Sequence, residues 1–211
     1  MGRINLNYFL GIAGNIGVGK TTFTKMIAEY YGWEPHYESV GDNPYLSDFY
    51  DDMLRWSFHL QVYFLSKRFK VQRQIESLQR TIVQDRTIYE DANIFAKSIY
   101  EIGKMSQRDW DNYLDLFAEM THYLRKPDLI VYLQASTDSL VWRIKKRGRD
   151  YEQSIDLEYL HLLNIHYDRW IASLEKSGLI PVIRLNADEN DFVKDESFRI
   201  SLFESVYKTL T

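Results

Sequence analysis

Short apolar runs alternate with longer stretches of helical period along this chain. Tyr8–Ala13 is a first apolar run and predicts a strand; Lys20 to Tyr31 then has helical composition. "WEPHYES", from Trp33, predicts a short second strand, and Tyr45 to about Gln79 is helical in pattern. "TIVQD", Thr81 to Asp85, is apolar and ends in charge, which predicts a third strand. "DLIVYLQA", Asp128 to Ala135, is the clearest buried strand, and "LIPVIRLN", from Leu179, is the last. Strands separated by helices predict an α/β fold, with a parallel sheet covered on both faces.

Composition narrows the picture. The chain has 211 residues, 45% hydrophobic and 27% charged, with no repeat and no low-complexity linker, so a single domain is expected over residues 1–211. It contains no cysteine, which excludes disulfides and thiolate metal sites and fits a reducing, cytoplasmic setting. The net charge of -4 argues against a nucleic-acid partner. No apolar run approaches the roughly 20 residues that span a membrane. The five histidines form no pattern with metal-ligand spacing.

"GNIGVGKTT" supplies the first chemistry. Gly14, Asn15, Ile16, Gly17, Val18, Gly19, Lys20 and Thr21 fit G-x-x-x-x-G-K-[ST], and Thr22 follows. Glycines let backbone N–H groups turn inward around phosphate oxygens, and the helix that follows adds the positive end of its dipole. Lys20 is expected to reach the β- and γ-phosphates of ATP and Thr21 to ligate Mg²⁺. The string follows an apolar strand and opens a helix, the context the motif requires.

Two carboxylates fall at strand ends, where open parallel sheets bind ligands. Asp85 closes the third strand and stands where such proteins keep a Mg²⁺-linked acid. Glu38 closes the second and becomes the candidate base for an attacking hydroxyl. A phosphorylated acceptor beside Glu38 would be repelled, by about 1 kcal/mol per charge pair at 4 Å in water and several-fold more in a dry cleft. A neutral alcohol would not.

"WRIKKRGRDYEQ", about 142–153, carries five positive charges between Arg143 and Arg149 and no acid between them. Arg143 and Arg147 share a helix face. A triphosphate losing its terminal group needs such charge, and a segment that closes over it excludes water. Between these motifs, Tyr50, Gln61 and Arg68 fall in one helical stretch, with Gln61 and Arg68 seven apart on one face. A Gln amide offers one acceptor and one donor in a plane, matching a nucleobase edge. Asp91 and Phe95, four apart, offer an acceptor and a stacking ring. Trp56, Phe58, Tyr63 and Phe64 are expected to serve the core or a subunit contact.

In its ordered motifs "GNIGVGKTT", "WSFHLQVY", "DRTIYED", "RIKKRGRDYEQ" and the late "DENDF", the chain resembles the deoxynucleoside kinases, the deoxycytidine, deoxyguanosine and deoxyadenosine kinase group. Its look is nearest to the bacterial deoxyadenosine kinases. The resemblance implies a P-loop kinase fold, three-layer α/β/α with a five-stranded parallel sheet and an arginine-rich lid. It implies transfer of the ATP γ-phosphate to a deoxynucleoside 5′-hydroxyl, with Glu38 as base and Arg86 orienting the hydroxyl and the γ-phosphate. Gln61 would meet the base, Arg68 and Asp91 set its preference, and Phe95 stack on it. Tyr50 and Glu152 would hold the 3′-hydroxyl. Arg143, Arg147 and Arg149 would be the lid arginines, and Asp191 and Phe192 part of a loop near the donor base. Family members are typically homodimers. The chain departs from the animal members at Asp85-Arg86-Thr87, where they commonly carry Glu-Arg-Ser.

A charged Arg68–Asp91 pair suits a base with an exocyclic amino group or a purine edge. Deoxyadenosine is therefore expected first, deoxyguanosine and deoxycytidine next, and thymidine last. Two other readings compete: a nucleoside monophosphate kinase of the thymidylate kinase type, and a non-enzymatic P-loop regulator. Glu38 disfavours the first, and the arginine lid disfavours the second.

Overall fold

A computed structural model of the chain describes residues 7–38, 43–149, 152 and 155–211. Five strands, β1 (Phe9–Gly14), β2 (Glu34–His36), β3 (Ile82–Asp85), β4 (Leu129–Gln134) and β5 (Val182–Asn186), form one sheet in the order β2-β3-β1-β4-β5. Every pairing is parallel, with Ile12 opposite both Asp85 and Val131. All six residues of β1 are buried. A strand covered on both faces cannot alternate apolar with polar, so β1 and β4 are legible as continuous apolar runs.

One face of the sheet presents Leu10, Ile12, Val131 and Leu133 to a core that includes Phe23 and Ile27 of α1 (Lys20–Tyr31). Phe203 and Val206 of α9 (Glu196–Leu210) complete that side. The other face presents Ala13, Ile130 and Tyr132 to the helices α2 (Leu46–Asp51), α3 (Met53–Glu76) and α8 (Leu157–Ser177). A smaller cluster joins Leu65 of α3 to Tyr113 of α6 (Gln107–Thr121) and Ile88 of α4 (Ile88–Glu90). The remaining elements are a π-helical segment, Asp91–Ala96, then α5 (Lys97–Glu101) and α7 (Thr137–Arg147).

Two boundaries differ from the sequence reading. The helical stretch from Tyr45 breaks at Asp52, whose backbone leaves the helical region at φ -141° and ψ 82° and whose carboxylate accepts from Arg55 N at 3.2 Å. Aspartate competes for backbone N–H groups in this way, so it ends one helix and caps the next. The second strand keeps only Glu34–His36 of the seven residues expected, and Ser39 lies outside the described residues. Among the described residues, no helix is long and apolar enough to cross a membrane.

Candidate active site

The carboxyl ends of β1 and β3 open into a cleft of about 610 Å³. Seven cationic and four anionic side chains line it, a positive surplus in a chain whose net charge is -4. Such a surplus focuses attraction for a polyanion.

The phosphate loop forms the floor. Gly14, Gly17 and Gly19 have φ of 147°, 83° and 109°, conformations that side chains resist. At Gly17 a Cβ would also lie 2.8 Å from Ile144 Cγ1 on α7. Asn15 is buried, and its Nδ2 donates to Leu160 O at 2.9 Å and to Asn164 Oδ1 at 2.7 Å, which ties the loop to α8. Lys20 donates to Gly14 O at 2.9 Å and Asn15 O at 3.0 Å. Burial, reinforced by Arg86, lowers its pKa to about 8. A buried ammonium held this way gains from an incoming phosphate.

Thr21 Oγ1 donates to Asp85 Oδ2 at 2.5 Å. The other oxygen, Asp85 Oδ1, is buried without a hydrogen-bond partner. Two hard oxygens beside a phosphate cradle suit Mg²⁺, which takes few protein ligands and completes its shell with phosphate and water. Ile16, Thr22, Arg143, Arg147 and Arg149 also line the cleft. Arg143 is pinned to the loop: it donates to Val18 O at 3.0 Å and Ala187 O at 2.7 Å.

A four-residue ion chain crosses the acceptor side. Arg86 Nη1 lies 3.3 Å from Glu38 Oε1, and Arg68 Nη2 donates to that same oxygen. Arg68 Nε then donates to both oxygens of Asp91. Burial alone would raise the Glu38 carboxyl, but Arg86, Arg68 and Lys20 outweigh it and hold the pKa at about 2. Asp91 goes the other way: burial outweighs Arg68 and lifts it to about 6.

Gln61, Tyr50, Phe95 and Glu152 line the same cleft. Gln61 is 3% exposed and its Oε1 is buried without a partner. An orphaned acceptor facing a cavity asks for a ligand donor. The Phe95 ring carries the Arg86 guanidinium 4.1 Å from its centroid. Glu152 is held by Arg147 through Nε, at 3.0 Å, and Nη2, and by Arg149 Nη1 at 3.4 Å. Residues 150, 151 and 153 of the expected lid lie outside the described residues.

Two expected nucleotide residues sit elsewhere. Phe192 is 4% exposed, packs edge-on against Phe23 at 5.4 Å, and backs the loop from the core. Asp191 accepts from Val193 N and Lys194 N at 3.1 Å on the surface. Neither lines the cleft, whereas their neighbour Val193 does.

Sequence reasoning passed over other lining residues. Phe64 packs against the core as expected and also lines the cleft, with Arg68 5.4 Å from its ring. The signal was its place three after Gln61 and four before Arg68, on the same helix face. Trp142 and Lys146 line the lid side. Asn164, 149 residues from Asn15, left no local signal.

A family model described as deoxynucleoside kinase matches residues 10–211. A deoxyadenosine/deoxycytidine kinase of Bacillus subtilis (strain 168) is 40% identical over 197 residues, covering 92% of this chain and 89% of that protein. A deoxyadenosine kinase of Dictyostelium discoideum is 42% identical over 180 residues, covering 85% and 72%. Among solved structures, the deoxyadenosine kinase of M. mycoides with products dCMP and a flexible dCDP bound superposes with a TM-score of 0.83 at 32% identity, covering 95% of this chain and 99% of that one. The same enzyme with bound dATP gives 0.82 at 31% identity, covering 96% and 100%.

Proposed function

Since this chain belongs to the deoxynucleoside kinase family, we propose that it transfers the γ-phosphate of ATP to the 5′-hydroxyl of deoxyadenosine in nucleotide salvage, with deoxyguanosine and deoxycytidine as further substrates. The observation that carries the base preference is the buried Arg68–Asp91 pair in the cleft wall, beside the unpartnered Gln61 Oε1. An acceptor there suits the exocyclic amino group of adenine or cytosine. Thymine has no exocyclic amino group to offer the Asp91 carboxylate, and the missing hydrogen bond costs about 1–3 kcal/mol. Relatives are named for deoxyadenosine, deoxycytidine and deoxyguanosine, which supports that set of substrates.

The chemistry is positioning plus charge. The loop N–H groups, Lys20 and the arginines Arg143, Arg147 and Arg149 hold the phosphate chain and the charge that spreads over the transferring group. Arg86 aligns the γ-phosphate with the 5′-hydroxyl. Glu38, ionised at neutral pH, takes the hydroxyl proton late, once the forming O–P bond has made the hydroxyl acidic. Asp191 and Phe192 belong to the loop near the donor base, with Phe192 backing the phosphate loop from the core. Tyr50 and Glu152 anchor the 3′-hydroxyl, and Phe95 stacks on the base. Thr21 and Asp85 would hold Mg²⁺, which would supply positive charge to the phosphate chain.

We propose further that the protein is a homodimer. Leu54 on α3 and Leu114 and Leu116 on α6 stay exposed on two helices that pack side by side. Turnover with ATP on the four deoxynucleosides tests the substrate reading. Deoxyadenosine should give the highest kcat/KM; thymidine as best substrate would overturn it.

A further inference from the structure

A carboxylate with no place in the cleft lies directly behind it. Glu90 is 0% exposed. Its Oε1 accepts from Thr87 N at 2.8 Å and Thr87 Oγ1 at 3.4 Å, closing a capping box at the start of α4. Its Oε2 accepts from Tyr167 Oη at 2.8 Å, across 77 residues of sequence. A capping box works as well on the surface, where the acid stays hydrated. Burying the carboxylate is costly, and burial does raise the Glu90 carboxyl against the pull of Arg86 and Lys20. Capping alone does not account for that placement.

Arg86 immediately precedes the box. It is the one non-glycine among the described residues with positive φ, 63°. Such a backbone is strained and persists only where its surroundings impose it. The surroundings do so on three sides. Arg86 N donates to Ile12 O at 3.1 Å. Thr87 is clamped by Glu90 and presses on β1 so closely that a Cβ at Gly11 would lie 2.8 Å from Thr87 Cγ2. The Arg86 guanidinium rests on Phe95, and Tyr167 meets that ring edge-on at 6.3 Å while stacking on Tyr132 at 5.8 Å. Tyr167 therefore touches both supports: the acid that fixes the Arg86 backbone and the ring that carries its side chain.

We propose that Glu90 and Tyr167 are positioning residues that hold Arg86 in its left-handed turn with the guanidinium aimed at Glu38 and the transferring phosphoryl group. The proposal rests on the assignment of Arg86 to the hydroxyl and the γ-phosphate. Neither residue lines the cleft, so neither contributes to substrate affinity directly. Their effect belongs to kcat, because a guanidinium displaced by a fraction of an ångström still attracts phosphate but no longer aligns it.

Steady-state kinetics of Glu90→Gln, Tyr167→Phe, Arg86→Gln and the Arg86→Gln/Tyr167→Phe double variant test this, with Tm measured for each. Tyr167→Phe and Glu90→Gln should each lower kcat by about tenfold, with both KM values within about twofold of the parent. In the Arg86→Gln background Tyr167→Phe should have no further effect, since its route is already cut. Full kcat in Tyr167→Phe and Glu90→Gln, with only Tm lowered, would overturn the proposal and leave the Arg86 assignment standing. An equal loss in both backgrounds would do the same. Full kcat in Arg86→Gln would overturn the Arg86 assignment and the proposal with it. If Tyr167→Phe does not fold, Glu90→Gln and its Arg86→Gln double carry the comparison.

Discussion

Arg68 Nη2 donates to Glu38 Oε1 at 2.6 Å. The residue proposed to take the hydroxyl proton is thereby joined, through one guanidinium, to the Asp91 carboxylate proposed to read the base. Base recognition and proton transfer share a cation, so a change at one end is felt at the other.

Removing that cation exposes the dependence. Arg68→Met leaves two buried carboxylates short of their partner, a loss of about 3–5 kcal/mol for a buried pair broken on one side. The pH dependence has a definite sign. Glu38 is held at about 2 in the folded chain, against 4.5 ordinarily. Its contribution to stability is therefore complete above pH 4.5 and disappears as pH falls toward 2. Losing Arg68 raises the folded value and narrows that window. Acid unfolding followed by circular dichroism should start at higher pH in the variant than in the parent.

Glu38→Gln tests the base itself. The amide keeps the shape and loses the proton acceptor, so kcat should fall by about 10²–10⁴-fold. ATP affinity, measured by calorimetry, should change little. Activity that survived the substitution would show that another group accepts the proton.

Nucleotide binding should take up protons above neutral pH. Burial and Arg86 hold the Lys20 ammonium at about 8, and phosphate oxygens favour its charged form. Near pH 8.5 the group is partly neutral before binding and charged after it. Calorimetric titrations in buffers of different ionisation enthalpy should report this uptake, and Lys20→Met should abolish it. In stability the same group acts from about 8 to 10.5, where the unfolded chain holds the proton and the folded chain does not. Its contribution rises with pH across that range.

Gly17→Ala should weaken fold and nucleotide binding together. The residue has φ of 83°, and the added methyl carbon would meet Ile144 Cγ1 at 2.8 Å. The backbone strain alone is of order 1–3 kcal/mol. Thermal unfolding with and without ATP should show a lower Tm and a smaller ligand-induced shift.

Gln61→Met keeps the volume and removes both polar atoms from a side chain that is 3% exposed. The kcat/KM for deoxyadenosine should fall at least about tenfold. The KM for ATP should hold, because the phosphate loop is untouched.

Much of this site was legible because its signals are local. The phosphate loop is contiguous, and a strand before it and a helix after it fix its meaning. Gln61 and Arg68 share a helix face by period alone. What escaped was set by distance in sequence or by a local exception. Tyr167 reaches Glu90 from another helix, and Asn164 reaches Asn15 likewise. The Arg86 backbone at φ 63° has no residue-type signal, since arginine is not a turn former. The burial of Phe192 between exposed Asp191 and Val193 left no periodic signal either.

The π-helical segment Asp91–Ala96 gives the chain an unusual sensitivity to length. It holds both Asp91 and Phe95 toward the cleft, with exposed Asn93 between them. In a regular helix each residue turns the face by about 100°, so deleting Asn93 would return the segment to α-helical winding and rotate Asp91 against Phe95. Substituting Asn93 changes a surface side chain; deleting it dismantles a wall of the pocket. Through this stretch, the number of residues is under tighter constraint than the identity of the one that faces water.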